Sequence, residues 1–258
     1  QVPKVLQTLE SLYGPYPFPR DGYKLINSPY EGMEHQTAIA YGSGFEDFYN
    51  GFDYIILHES AHEWWGNAVT ATDFSDIWLH EGFATYAEFM FYNAISHKSS
   101  SYDYMAYIMN DINDIKPVIG PSGVRFWDIN DSDVYNKGAA FLNTVANQFD
   151  TYETFTQTMK SFFAKYRYGH VTTQNFIEHF KPFVDYIEPL ANVYLKDTII
   201  PVLDIHYDLS DQRYIKIDAN FSNTPDDFKL KTNMLYYKGF ETFGPIGNTV
   251  KTFELYHP

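Results

Sequence analysis

Two histidines four residues apart constrain the fold of this 258-residue chain more than any other feature. His58 and His62 bound the run His-Glu-Ser-Ala-His, and an apolar segment, Tyr-Ile-Ile-Leu, leads into it at residues 54–57. On an α-helix, residues four apart lie one above the other on the same face, so both imidazoles can bind a single metal ion. The sequence therefore predicts a helix here, with its histidine face turned towards a metal site.

A third candidate ligand, Glu81, follows in the segment Trp-Leu-His-Glu-Gly-Phe-Ala. Because the chain has no cysteine, a metal ion would have to be bound by nitrogen and oxygen. Two histidines, one glutamate and an open position for water are typical of a catalytic zinc site. Glu59 is rotated away from the histidine face, where its carboxylate can reach a water at the metal. We therefore predict one Zn²⁺ per chain, bound by His58, His62 and Glu81, with Glu59 as the general base.

Three further segments accompany the zinc motif. Trp-Trp-Gly-Asn follows it at residues 64–67, Gly-Met-Glu precedes it at residues 32–34, and Tyr-Asn-Lys-Gly-Ala comes later at residues 135–139. In their order and separations these segments resemble the gluzincin aminopeptidases, the family of aminopeptidase N-like and leukotriene-hydrolase-like enzymes. The resemblance extends over roughly residues 1–200 and implies a thermolysin-like zinc peptidase catalytic domain.

The resemblance assigns the Gly-Met-Glu segment to substrate binding. In the family it reads Gly-x-Met-Glu-Asn, and its glutamate binds the free α-amino group of the substrate. The corresponding residue is Glu34, and Gly32 and Met33 belong to the same substrate-binding segment. A carboxylate near zinc can pair with an ammonium group and so restrict cleavage to the first residue of a peptide. The chain departs from the family pattern with Glu31 in place of the first glycine and His35 in place of the asparagine.

The resemblance also assigns a role to Tyr135, which composition alone would not distinguish among 23 tyrosines. In the family, the tyrosine of Tyr-x-Lys-Gly-Ala donates a hydrogen bond to the oxyanion of the tetrahedral intermediate. The implied activity is a zinc-dependent aminopeptidase that hydrolyses the N-terminal residue of peptides with a free N-terminus. Such enzymes usually carry a large β-rich domain before the catalytic one, which is not visible here, so we expect a fragment of a larger enzyme.

The hydrophobic pattern predicts an α+β fold in two parts. By the resemblance, residues 1–200 form the catalytic domain, with a small β-containing N-terminal lobe and a mainly helical C-terminal lobe. Alternating and β-branched segments then predict a small β-rich domain, a sheet or partial sandwich, at residues 201–258. The predicted helices include residues 2–13, 53–67, 78–96 and 101–116, and the predicted strands are residues 23–27, 37–41, 202–207, 214–220, 228–234 and 249–255.

The charge of the chain argues against one class of partner. The 18 basic and 33 acidic side chains give a net charge of −15, whereas nucleic-acid-binding proteins carry a basic patch. No apolar run approaches the length needed to cross a bilayer, and no charged segment precedes an apolar leader. We therefore expect a soluble protein without a transmembrane segment, either cytoplasmic or exported with its signal removed; the sequence does not determine its oligomeric state.

Other functions stay open on the sequence alone. A thermolysin-like endopeptidase is expected if the altered segment around Glu34 does not bind amines. A hydrolase of another bond, such as the epoxide hydrolysis of one branch of the family, is a second alternative. A non-catalytic, zinc-containing peptide-binding module is a third. At the level of single residues, the two histidines can also belong to a solvated helix face, and Glu81 can be a favourable charge in the first turn of a helix.

Overall fold

The computed structural model of the protein describes residues 1–44, 51–95, 98–125, 128, 132–210, 213–236 and 239–256. Helices and strands alternate in the first part of the chain, helices dominate the middle, and strands the last part. The α-helices in this part of the chain are α1 (Val2–Tyr13), α2 (Tyr54–Ala61), α3 (Trp78–Ile95), α4 (Lys98–Met109), α5 (Asn136–Ala146), α6 (Tyr152–Tyr166), α7 (Thr173–Phe180) and α8 (Ile187–Leu195). The strands are β1 (Lys24–Asn27), β2 (Gly32–Met33), β3 (Ala38–Tyr41), β4 (Val69–Ala71), β5 (Gly169–Val171), β6 (Val202–Asp208), β7 (Tyr214–Ser222), β8 (Leu230–Tyr236), β9 (Gly239–Ile246) and β10 (Lys251–Tyr256). The mixed helix-and-strand fold predicted from the sequence is confirmed.

A small N-terminal sheet brings the chain close to α2. Its strand order is β1-β3-β2, with β1 parallel and β2 antiparallel to β3. The sequence predicted β1 and β3 but only a turn between them, and β2 lies in that turn. A β-carbon on Gly32 would lie 2.5 Å from Glu59 Oε1 and 2.8 Å from Ile55 Cγ2. Only glycine therefore allows the β2 backbone to approach α2 this closely.

Helix α2 ends earlier than predicted. It stops at Ala61, and His62 follows as its C-terminal cap, still in the right-handed helical conformation. Beyond this point the backbone N–H groups bond to carbonyls five residues back: Asn67 to His62 (2.9 Å), Ala68 to Glu63 (3.2 Å) and Val69 to Trp64 (3.0 Å). The prediction of a helix to residue 67 is wrong because the chain widens into this broader turn, as in a single-turn π-bulge.

Helix α3 is the centre of the helical part of the fold. Nearly every residue of its first four turns is buried, as expected for a helix that neighbours surround on all sides. It meets α5 at two glycines, and a β-carbon on Gly82 would lie 2.9 Å from the α-carbon of Gly138. This backbone contact brings the chain around Glu81 next to the chain around Tyr135.

Helix α4 also differs from its predicted extent of residues 101–116. It runs from Lys98 to Met109, after which the chain turns back towards the start of α5. The carboxylate of Asp133 accepts hydrogen bonds from the backbone N–H groups of Asn113 (2.9 Å) and Asp114 (2.7 Å). These bonds replace the helical ones that the sequence pattern predicted for the same groups.

The last part of the chain contains two antiparallel sheets, with strand orders β10-β7-β6 and β8-β9. Four of these strands lie where the sequence predicted them, and β9 was missed because its glycines and Pro245 interrupt the strand pattern. Buried Gln148 connects this part to the helices, since its Oε1 accepts hydrogen bonds from Lys231 N (2.7 Å) and Tyr186 OH (3.1 Å). A separate domain at residues 201–258 stays a prediction.

No helix within the described residues has the length and apolar character of a membrane-spanning segment.

The contact between α3 and α5 can be tested by adding one methyl group. Gly138→Ala should lower the free energy of unfolding by about 2 kcal/mol, because the new methyl overlaps Gly82, although alanine is intrinsically the better helix former by about 1 kcal/mol. Urea denaturation measures the change. Gly120→Ala is the matched control, since a β-carbon there meets no atom within 4 Å. Equal stabilities for the two variants would contradict a close helix contact.

Candidate metal centre

The three predicted metal ligands come together at the ends of two helices. Nε2 of His58 lies 3.1 Å from Nε2 of His62, and Oε2 of Glu81 lies 3.3 Å from the first nitrogen and 3.2 Å from the second. Ligand atoms held about 2.0–2.1 Å from a tetrahedral zinc ion are separated by about 3.3 Å from one another. The triangle of donor atoms therefore has the dimensions of one face of a zinc tetrahedron.

The other nitrogen of each imidazole is already engaged. Nδ1 of His58 lies 2.7 Å from Oε1 of Glu88, and Nδ1 of His62 lies 2.9 Å from the backbone oxygen of Trp65. Glu88 is buried and also accepts a hydrogen bond from the hydroxyl of Tyr104. Because both partners accept, each Nδ1 donates, and in the neutral rings each Nε2 then turns its lone pair towards the centre of the triangle.

Charge in the triangle favours a bound cation. Burial lowers the pKa of His62, but the Glu81 carboxylate outweighs this effect and raises the pKa to about 9. Burial likewise raises the pKa of Glu81, but the two imidazoles outweigh it and hold that pKa below its usual range. A divalent ion can replace the protons that these groups otherwise share, with deprotonated ligands around it.

Glu59 lies beside the triangle without belonging to it. A carboxylate oxygen of Glu59, one of Glu34 and a ring nitrogen of His62 all lie within 4.8 Å of one another. Glu59 is buried, and its Oε2 has no hydrogen-bond partner in the described part of the chain. Burial raises its pKa, against the opposing effect of the two histidines. A buried carboxyl group with an unengaged oxygen is suited to gaining and losing a proton.

Tyr135 approaches the triangle from the start of α5. Its ring stacks on that of His58, with 6.0 Å between the ring centres and 28° between the planes. Burial raises the pKa of Tyr135 most, and the carboxylates of Glu81, Glu34 and Glu59 raise it further. The hydroxyl therefore stays protonated and can donate a hydrogen bond.

All eight predicted site residues border one cleft of about 450 Å³. Gly32 and Met33 contribute strand β2, and half-buried Glu34 follows directly. The three predicted metal ligands, Glu59 and Tyr135 also line it. Further residues that border the cleft are Glu31, Tyr54, Ile55, Thr85, Glu88, Tyr104, Tyr107, Ile108, Asp111, Ser132 and Asn136.

Two residues in this region were left open by the sequence. Glu88 contacts His58, and its position seven residues after Glu81 places both on one face of α3, a spacing that could have identified it. His80 instead accepts a hydrogen bond from the backbone N–H of Ala71 (2.7 Å). Burial lowers the pKa of His80 to about 4, so it stays neutral and supports the neighbouring loop.

Comparison with known proteins gives a family match and curated relatives. The model of the peptidase family M1 domain matches residues 4–194. Bovine (Bos taurus) aminopeptidase N is 28% identical over 164 residues, which cover 58% of this chain and 16% of that protein. Rat (Rattus norvegicus) aminopeptidase B is 25% identical over 196 residues, which cover 69% of this chain and 30% of that protein. The chain thus spans less than a third of the length of these curated relatives.

Solved structures of two other proteins have a similar fold. The M1 zinc metallopeptidase of Deinococcus radiodurans matches with a TM-score of 0.64 and 23% identity, over 77% of this chain and 44% of that one. Leukotriene A4 hydrolase of Saccharomyces cerevisiae matches with a TM-score of 0.67 and 20% identity, over 76% of this chain and 34% of that one. At these identities the likeness is one of fold.

The metal centre can be tested by elemental analysis of the purified protein. Wild type should contain about one zinc ion per chain, and His62→Gln should contain little, because one corner of the ligand triangle is lost. His170→Gln is the matched control, since His170 is exposed on strand β5 and lies outside the cleft. Equal zinc in both variants would refute binding at this triangle.

Proposed function

Because the chain belongs to peptidase family M1, we propose that it is a zinc-dependent aminopeptidase that removes the N-terminal residue of peptides. One observation carries this proposal: the ligand triangle, Glu59, Tyr135 and Glu34 all border the same cleft. The family match itself covers the residues that form this cleft. The chain spans less than a third of the length of these curated relatives, so the activity of the whole protein is also a proposal.

His58, His62 and Glu81 would hold one zinc ion per chain. When bound, zinc supplies Lewis acidity, which lowers the pKa of a water molecule and polarises the carbonyl of the scissile bond. Glu88 and the backbone oxygen of Trp65 orient the two imidazoles, because each accepts the Nδ1 hydrogen.

Glu59 is the proposed general base and acid. Its raised pKa and unengaged oxygen allow it to accept a proton from the attacking water and to deliver it to the leaving amine. The proton is thus conserved within the site: the water supplies it and the released amine receives it.

Tyr135 is the proposed donor to the oxyanion that develops on the scissile carbonyl. Stacking on His58 holds the phenol next to the ligand triangle, and its raised pKa keeps the proton on the hydroxyl. A donor that is fixed in advance stabilises the charged transition state more than the neutral substrate.

Glu34 would bind the substrate's α-amino group as an ion pair, which selects the first residue of a peptide. Strand β2 would align the peptide backbone, because β3 pairs with one edge of it and no described strand pairs with the other. An extended peptide can add to such an edge through main-chain hydrogen bonds. Gly32 and Met33 provide the groups on this edge, so their role in substrate binding is through the backbone.

The finer architecture is part of the same proposal. Residues 1–200 would form the thermolysin-like catalytic domain, and residues 201–258 a small β-rich domain beside it. The hydrogen bonds of Gln148 to Lys231 support a fixed junction between the two parts.

Selectivity for a free amino terminus can be measured with paired peptides. Wild type should hydrolyse a free-amino tripeptide at least about a hundredfold faster than its N-acetylated form, because acetylation removes an ion pair worth about 3 kcal/mol. Glu34→Gln should reduce that ratio towards one. Equal rates on both peptides in wild type would favour a thermolysin-like endopeptidase instead.

Substitution of Glu59 and Tyr135 tests their proposed catalytic roles. Glu59→Gln should abolish hydrolysis with zinc still bound, since it removes the group that carries the proton. Tyr135→Phe should lower kcat by about 10²–10³, the usual cost of one oxyanion donor, with KM little changed. Tyr107→Phe, which removes a hydroxyl from the same cleft, is the control and should keep most of the activity. An active Glu59→Gln protein would refute this mechanism.

A further inference from the structure

We propose that Asn67 and Glu63, in the turn after the second histidine, form a clamp that positions Glu34 for the substrate's amino group. This inference rests on the proposed aminopeptidase function and concerns how its selectivity is built. Neither residue borders the cleft. Both are therefore positioning residues that act through Glu34.

Asn67 connects the segment that contains Glu34 to the C-terminal end of α2. Its side-chain Nδ2 donates a hydrogen bond of 2.8 Å to the backbone oxygen of Glu34. Its own backbone N–H donates to the backbone oxygen of His62 at 2.9 Å. One residue thus bonds both to the backbone of a zinc ligand and to the backbone of the amine anchor, which are far apart in sequence.

Glu63 holds the other end of the same segment. It is fully buried, and its Oε1 accepts a hydrogen bond of 2.7 Å from the backbone N–H of Thr37. Thr37 has a φ of 60°, in the left-handed region that β-branched residues rarely adopt. Such a conformation persists only where surrounding contacts hold it, and the Glu63 carboxylate is a contact of this kind.

The wide turn at the end of α2 makes both bonds possible. The bonds from Asn67 to His62 and from Ala68 to Glu63 span five residues, so the chain turns without continuing the helix. The two side chains can then reach the segment between β2 and β3. Glu34 itself is only half-buried, and the clamp fixes its backbone relative to His62. A carboxylate that must lie at one distance from the metal loses selectivity when this backbone moves.

The test is a double-mutant cycle in the whole chain, with hydrolysis of a free-amino tripeptide and of its N-acetylated form as readouts. Asn67→Ala should lower kcat/KM for the free-amino peptide by about threefold to tenfold, the value of one hydrogen bond, and leave the acetylated peptide within about twofold. In a Glu34→Gln background the same substitution should cost nothing further, because the two residues act through one interaction. Zinc content and melting temperature are measured for every variant.

A second pair of variants tests Glu63 by a different bond. Glu63→Met removes the acceptor for Thr37 and should reduce selectivity as Asn67→Ala does. Glu63→Gln has an amide oxygen at the same position along the side chain, which can accept the same bond, so this variant should have the selectivity of wild type. Asn147→Ala, which removes an exposed side chain at the C-terminal cap of α5 that donates to the Asn143 backbone oxygen, is the unrelated control.

The outcomes separate the clamp from the proposed function. Equal hydrolysis of both peptides by wild type refutes the aminopeptidase, and the clamp with it. If wild type is selective, two results refute the clamp alone. Asn67→Ala slows hydrolysis of both peptides equally, or it lowers kcat/KM by the same factor in the Glu34→Gln background as in wild type. Loss of zinc in Asn67→Ala also refutes it, because the turn would then serve the metal ligands.

Discussion

The approach of two imidazole nitrogens and one carboxylate oxygen to within 3.3 Å of one another is the constraint on which the rest of the structure depends. Such atoms are costly to bury together unless a cation lies between them. Two helices must therefore be held in a fixed relation, with α2 supplying the histidines and α3 the glutamate. The nearly complete burial of α3 provides that rigidity, because a helix packed on all sides cannot shift along its axis without breaking many contacts.

Close backbone contacts transmit this geometry to the remaining site residues. Gly32 allows strand β2 to touch Glu59, and Gly82 meets Gly138 where α3 crosses α5. The first contact brings the edge of β2 that we propose for substrate binding next to α2, and the second brings Tyr135 to the ligand triangle. A side chain at either point would overlap the neighbouring element. The position of the proposed oxyanion donor thus follows from a helix crossing.

Carboxylates dominate the cleft, and each one that bears on the chemistry has a different environment. Glu81 is held ionised by the two histidines, and Glu59 has a raised pKa because it is buried beside them. Glu34 is half-buried and open to a substrate. Under the proposed function, this separation lets one acidic cleft offer a metal ligand, a proton carrier and an amine partner at the same pH.

The sequence by itself determined the zinc motif, because a repeat of four residues places two histidines on one helical face in any context. It also determined most helices and strands, and a seven-residue spacing from Glu81 would have identified Glu88 as well. Tertiary structure decided where α2 ends, since the five-residue hydrogen bonds after His62 depend on packing that no local pattern records. It also decided that Asn67 meets Glu34 and that Gly82 meets Gly138, because contacts between distant segments follow from the closed fold. Local periodicity is encoded within a few residues, whereas the distance between two segments depends on everything packed between them.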